Sequence, residues 1–258
     1  MPTSSSRFHY AWFILAAGTL VVFGSLGLAR FGYTMVLPAM QSGLGLDNAH
    51  AGGLATANLV GYLALSVIGG ALASRYGPRA VITVGLALVG VSMLLTGLAQ
   101  NFAQAAAWRA VTGIGSGASN VPVMGLLAAW FSRRRRGLAA GVAVTGSSFA
   151  LIILGPLVPR LLALYGEDGW RTYWFIFGGV ILGLAVLSLV VLRNRPADVG
   201  ILPLGATAEE MGDESRGSGL NWSSVYRSWT IWHVGLIYVA FGFSYIIYVT
   251  FFTKYLIA

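Results

Sequence analysis

Seven uncharged apolar runs decide what this chain can become. They lie at Phe8 to Ala29, Asn48 to Ser74, Ala80 to Trp108, Ala110 to Ser132, Gly137 to Pro159, Thr172 to Leu192 and Ser228 to Thr253. Each is about 20 residues or longer, enough to cross a hydrocarbon core of about 30 Å as a helix. Lipid offers backbone groups no water, so each run must bond its own N–H and C=O groups, as a helix does. Composition agrees: 57% of residues are hydrophobic and 9% charged, against about 25% charged in soluble domains. The fold class expected is all-α, polytopic and membrane-embedded. The first run is too long for a cleavable signal and has no small-residue cleavage pattern, so the first helix stays.

The net charge of +8 could suggest nucleic acid, so the position of the basic residues has to decide. Counted loop by loop, one side holds Arg7, Arg75, Arg79, Arg133, Arg134, Arg135, Arg136, Arg193, Arg195, Arg216 and Arg227, and the other only Arg160 and Arg171. Eleven against two is a positive-inside pattern that puts the N-terminus in the cytoplasm. Arg133 to Arg136 read as a topology anchor facing anionic lipid, and nucleic acid is excluded as a partner. Zero cysteines remove disulfide and thiolate chemistry. The spans contain no cluster of His, Asp and Glu for metal or acid–base work, so neither an enzyme nor a cofactor is expected.

One charge falls inside an apolar stretch, in Leu28-Ala29-Arg30-Phe31-Gly32-Tyr33-Thr34. An arginine at the bilayer centre costs about 2.5 to 3.5 kcal/mol on insertion scales, so it should face a cavity, a partner or an anionic ligand. Its planar fork suits carboxylate and phosphate. The alternative is an arginine snorkelling to headgroups, eight residues before Pro38. Helical spacing puts Arg30, Tyr33 and Thr34 on one face, and Pro38 is expected to end the helix. Asn58 and Tyr62, four apart, share a face of helix two, and Asp47 or Asn48 can cap its start. Arg109, Thr112, Ser116 and Asn120 form a polar stripe on helix four. Thr145 and Ser148 lie near the middle of helix five, whose Gly155 and Pro156 predict a bend. Helix seven carries Tyr238, Tyr245 and Tyr248.

Two loops carry a resemblance. Gly70-Ala71-Leu72-Ala73-Ser74-Arg75-Tyr76-Gly77-Pro78-Arg79 resembles the signature Gly-x-Leu-Ala-Asp-Arg-x-Gly-Arg-Arg of the major facilitator superfamily, with Ser74 where the family has Asp. Arg109-Ala110-Val111-Thr112-Gly113-Ile114-Gly115 resembles its Arg-x-x-x-Gly-x-Gly motif on helix four. The resemblance implies a six-helix bundle built of 3+3 inverted repeats, alternating access, and a midplane substrate site. It implies conformational coupling or gating by Gly70, Ser74, Arg75, Gly77, Arg79, Arg109, Gly113, Gly155 and Pro156, with Ser74 weakening the latch. The expected division is 1–192 for the six-helix domain, 193–228 for a Gly/Ser-rich linker, and 229–258 for a seventh helix opening an incomplete second half.

The phrase from Gly27 to Tyr33, with Leu37-Pro38-Ala39-Met40-Gln41 and Gly61-Tyr62-Leu63, resembles the YbfB/YjiJ-type branch of bacterial porters, which implies a bacterial inner membrane. The spacing of Arg30 and Pro38 is also similar to that of organophosphate/phosphate antiporters, whose equivalent arginine binds the anion. The function expected is secondary transport of a small organic anion, a carboxylate or organophosphate, contacted by Arg30. Tyr33, Thr34, Asn58, Tyr62, Asn120, Thr145, Ser148, Tyr238 and Tyr245 are the other candidate contacts. Coupling to a proton or a counter-substrate is open. Two alternatives stand beside this: efflux of hydrophobic or cationic compounds along the tyrosines, and a non-transporting receptor or scaffold.

Overall fold

The computed structural model describes residues 9–206 and 227–257, and these are helical almost throughout. The first span is one continuous rod from Ala11 to Leu44, 34 residues long. It consists of α1 (Ala11–Val22), a π-helical stretch (Phe23–Phe31) and α2 (Gly32–Leu44). Then follow α3 (Asn48–Tyr76), α4 (Pro78–Gly97), α5 (Phe102–Trp130), α6 (Arg133–Tyr165) and α7 (Gly169–Val191), and finally α8 (Trp229–Ile257). The chain divides into two compact units at residue 207.

Among the described residues, four helices are long and apolar enough to cross a membrane: the first span, α4, α6 and α7. The α3 helix, bent by 46° between Ser66 and Ile68, makes a fifth if its two arms are one span. The 29 residues of α5 have the length, but glycines, serines, Arg109 and Asn120 dilute its apolar character.

Pro38 does not end the first helix. It lies inside α2, which runs on to Leu44. A proline inside a helix removes one N–H and leaves the carbonyl four residues earlier without its amide, without forcing termination when the surroundings hold the rod. The rod stops where Gly45 takes φ 62, and the Leu46 amide bonds the Gln41 carbonyl at 2.9 Å. That bond closes a Schellman turn, whose left-handed residue favours glycine. The next helix starts as the sequence suggests, with Asp47 Oδ1 accepting from the His50 amide at 2.8 Å. The Arg133 to Arg136 run is not a loop but the first turn of α6. Four cations there oppose the helix dipole, so what selects them lies outside the helix.

The first unit is held by close helix crossings. At the α3–α5 crossing, a Cβ on Gly113 would run into the Asn58 carbonyl, and one on Gly117 would lie 2.6 Å from the Tyr62 carbonyl. Lipid gives helices no hydrophobic reason to associate, so this backbone approach and its dispersion contacts supply the attraction. Ser92 and Thr112 hydroxyls meet at 2.8 Å between α4 and α5. The α4–α7 pair is clamped at both ends. The Arg79 guanidinium donates to the Leu189 carbonyl near the end of α7, at 2.9 and 2.6 Å, while Asn194 Oδ1 accepts the Arg79 amide at 2.9 Å. At the other end, Arg171 Nη1 donates to the Gly97 and Ala99 carbonyls at 2.7 and 2.8 Å. Each clamp satisfies carbonyls that a helix end leaves without amides. The opening of the expected linker is likewise fixed: Leu204 exchanges backbone bonds with Trp130 and Ser132, and Trp130 Nε1 donates to the Arg193 carbonyl.

Candidate functional site

Arg30 sits on the π-helical stretch, half-buried. Its guanidinium carbon lies 4.9 Å from the centre of the Tyr62 ring, which α3 presents, and 5.9 Å from that of Phe31. The Tyr62 hydroxyl accepts from Asn120 Nδ2 of α5 at 3.0 Å. Three helices therefore bring a cation, an aromatic face and an amide together. Asn120 Oδ1 is buried without a hydrogen-bond partner. A buried amide oxygen left unbonded is costly, and the cation, phenol and amide gathered beside it suit an anion with hydroxyl or acid groups.

Tyr33 and Thr34 do not extend this surface. Tyr33 is 3% exposed, with its hydroxyl donating to the Ala51 carbonyl at 2.8 Å. Its ring lies under Arg109, whose guanidinium carbon is 4.5 Å from the ring centre. Thr34 Oγ1 bonds back to the Phe31 carbonyl at 2.8 Å. The shared face drawn from regular α spacing fails because Arg30 belongs to a π register and Tyr33 to the α register that follows. Asn58 is also occupied: 2% exposed, it donates to the Arg109 carbonyl at 3.1 Å, tying α3 to α5.

Thr145 and Ser148 are exposed on α6, with Thr145 Oγ1 bonded to the Val142 carbonyl at 2.7 Å. Tyr238 is exposed on α8; the side chain of Tyr245 lies outside the described residues, as does that of Tyr248.

Arg109 is 1% exposed and packs between the rings of Tyr33 and Trp174, with Nη1 donating to the Ala29 carbonyl at 2.7 Å. Two aromatic faces and a carbonyl compensate the lost hydration of the cation. The expected loop from Gly70 to Tyr76 is instead the last turns of α3, where Ser74 Oγ bonds back to the Gly70 carbonyl at 3.0 Å and the Arg75 guanidinium lies 5.4 Å from the Tyr76 ring centre. Gly77, at φ 85, packs against Asn194. A cavity of about 760 Å³ lies here, lined by Ser74, Arg75, Asn194, Arg195 and Asp198 among others. Gly155 and Pro156 are exposed within an unbroken α6. Sequence reasoning missed Tyr173 and Trp174. Their only trace is a Tyr-Trp pair shortly after Arg171, and what they meet lies on other helices: the Leu28 carbonyl for the Tyr173 hydroxyl and the Arg109 guanidinium for the Trp174 ring.

A family model described as Major Facilitator Superfamily matches residues 16–258. The chain is 26% identical over 232 residues to Probable sulfoacetate transporter SauU of Cupriavidus necator, covering 88% of this chain and 53% of that protein. It is 24% identical over 176 residues to a Probable hexose phosphate transport protein of Chlamydia pneumoniae, covering 68% of this chain and 38% of the relative. The chain thus spans about half or less of the length of these relatives. Its fold resembles the crystal structure of a bacterial homolog to the human lysosomal transporter Spinster, inward-facing and unoccupied. The TM-score is 0.69 at 18% identity, over 98% of this chain and 56% of the other.

Proposed function

The chain belongs to the Major Facilitator Superfamily, and from that premise we propose that it is part of a secondary active transporter for a small organic anion. Alternating access moves the anion past Arg30. The observation that carries this reading is the convergence of Arg30, Tyr62 and Asn120 from three helices at one point of the bundle. Two of the relatives are described as transporters of sulfoacetate and of hexose phosphate, both of which carry strong anionic groups. The arginine supplies charge and a planar fork, Tyr62 fixes its plane, and the Asn120 amide offers a polar group for the rest of the substrate.

In the same reading the arginine-rich side faces the cytoplasm of a bacterium. Gating at the end of α3 falls to Gly70, Ser74 and Arg75, because Arg79 and Gly77 are engaged with α7 and Asn194 inside the first unit. Arg109 and Gly113 act in coupling, through the first span and α3.

The test is binding of sulfoacetate and glucose 6-phosphate to the purified full-length protein, read by thermal shift and calorimetry. Arg30→Gln is expected to weaken the better-bound anion about tenfold or more, the scale of one lost charge-assisted contact. If only lipophilic cations stabilise the protein, or Arg30→Gln leaves anion affinity unchanged, the anion reading is wrong.

A further inference from the structure

Nine residues of π-helix, Phe23–Phe31, interrupt the first span. A π stretch bonds each carbonyl to the amide five residues on, and such stretches are rare because the α-helix bonds better. Here the Gly32 amide still bonds the Gly27 carbonyl, five residues back, and α2 then resumes the four-residue pattern. Moving from one ladder to the other skips one carbonyl, and the skip falls at Leu28.

That carbonyl is met from outside the rod. The Tyr173 hydroxyl, from the first turn of α7, donates to the Leu28 carbonyl at 2.7 Å in a buried contact. The approach passes directly over Gly32, where a Cβ would collide with the Tyr173 hydroxyl. Two neighbouring carbonyls are bonded in the same way: Ser116 Oγ donates to the Ser25 carbonyl at 2.9 Å and Arg109 Nη1 to that of Ala29 at 2.7 Å. The π register is thus satisfied by side chains of α5 and α7, not by the first span alone.

We propose that Tyr173 is a positioning residue for Arg30: its hydroxyl holds the π register of the first span, and that register aims Arg30 at Tyr62. An unbonded carbonyl within a bilayer is strongly unfavourable. Without the phenol, the simplest repair is to expel the extra residue and return to continuous α-helix. The rod on one side of the skip then turns by one residue, about 100°. Arg30 leaves the Tyr62 face, and a buried neighbour such as Ala29, 0% exposed, is brought round. The first part of this inference, the register, stands alone; the second rests on the reading of Arg30 as the anion contact.

The experiment reads the two parts separately in the full-length protein. The 258 residues contain no cysteine, so Ala29→Cys is a single reporter among them. It is expected to resist a water-soluble maleimide in the parent and to react in combination with Tyr173→Phe, which keeps the ring and removes only the hydroxyl. Glucose 6-phosphate and sulfoacetate affinity is then measured for Tyr173→Phe, Arg30→Gln and the double variant. Tyr173→Phe alone is expected to weaken the better-bound anion about tenfold, with little further loss in the Arg30→Gln background, because the tyrosine acts through the arginine. Gly32→Ala, which displaces the hydroxyl while leaving it present, is expected to lower anion affinity as Tyr173→Phe does, with no reporter cysteine needed. Unchanged maleimide protection in Tyr173→Phe overturns the register assignment. Additive losses in the double variant overturn positioning through Arg30. Maleimide reaction with no effect of Arg30→Gln on either anion supports the register and removes the anion reading instead.

Discussion

Gly113→Ala adds one methyl where α5 crosses α3, and its sign can be worked out from the structure. In an open helix, replacing glycine by alanine stabilises by about 0.8 to 1 kcal/mol, because glycine has more backbone freedom to lose. At Gly113 the new methyl meets the Asn58 carbonyl and lies 2.8 Å from the Tyr62 amide nitrogen, both backbone atoms that no rotamer change can move aside. The two helices must separate, weakening the Asn58 bond to Arg109 as they do. Overpacking costs about 1 to 3 kcal/mol, with rigid backbone contacts at the upper end. The net effect is a loss of about 2 kcal/mol. Gly179 on α7 is the control, since a Cβ there meets nothing within 4 Å; Gly179→Ala should be neutral or stabilising by up to about 1 kcal/mol. The 8 tryptophans of the sequence provide a fluorescence melting signal. At about 2 to 4 °C per kcal/mol, Gly113→Ala should melt about 4 to 8 °C lower than the parent. Equal or raised melting temperatures for both variants would refute the claim that backbone contact holds α3 to α5.

The acid limb of stability should report Asp47. The backbone amide of His50, then its side chain, hold this carboxylate below its ordinary range. A depressed folded-state pKa means its capping contribution is complete above the unfolded value, about 3.9, and disappears as pH falls through the folded value. Asp47→Asn keeps a capping oxygen without the titration, so its melting temperature should fall less between pH 5 and 3 than the parent's; parallel curves would contradict this. Arg171→Ala removes two carbonyl bonds at one end of the α4–α7 pair. Part of that side chain is solvated, so a loss of about 1 to 2 kcal/mol is expected, with Arg171→Lys recovering only part because it lacks the fork. A chemical denaturation series on the three proteins checks the order.

Helical membrane spans were legible because apolar length is a local property, though four of the seven runs, or five with the bent α3, meet that test among the described residues; the cap at Asp47, whose side chain bonds an amide three residues away, was legible too. Arg30, Tyr62 and Asn120 were each visible as polar residues in apolar stretches, since such residues need a reason to be there. Their convergence was not visible, and neither was the departure of Tyr33, Asn58 and Thr34 from the same surface. Those assignments depend on which helix lies opposite, and lipid-facing and core-facing residues are equally apolar here.

The sequence by itself determined a helical membrane bundle with two arginines, Arg30 and Arg109, that had to be accommodated, because apolar runs of this length satisfy their backbone in hydrocarbon as helices. Only the tertiary structure decided that Pro38 lies inside the first rod and that a π stretch precedes it. A helix apolar on every side has no periodic mark to show an added residue. The carbonyl it leaves over is satisfied by a tyrosine 145 residues away in the chain, so the register of the first span belongs to the packed bundle.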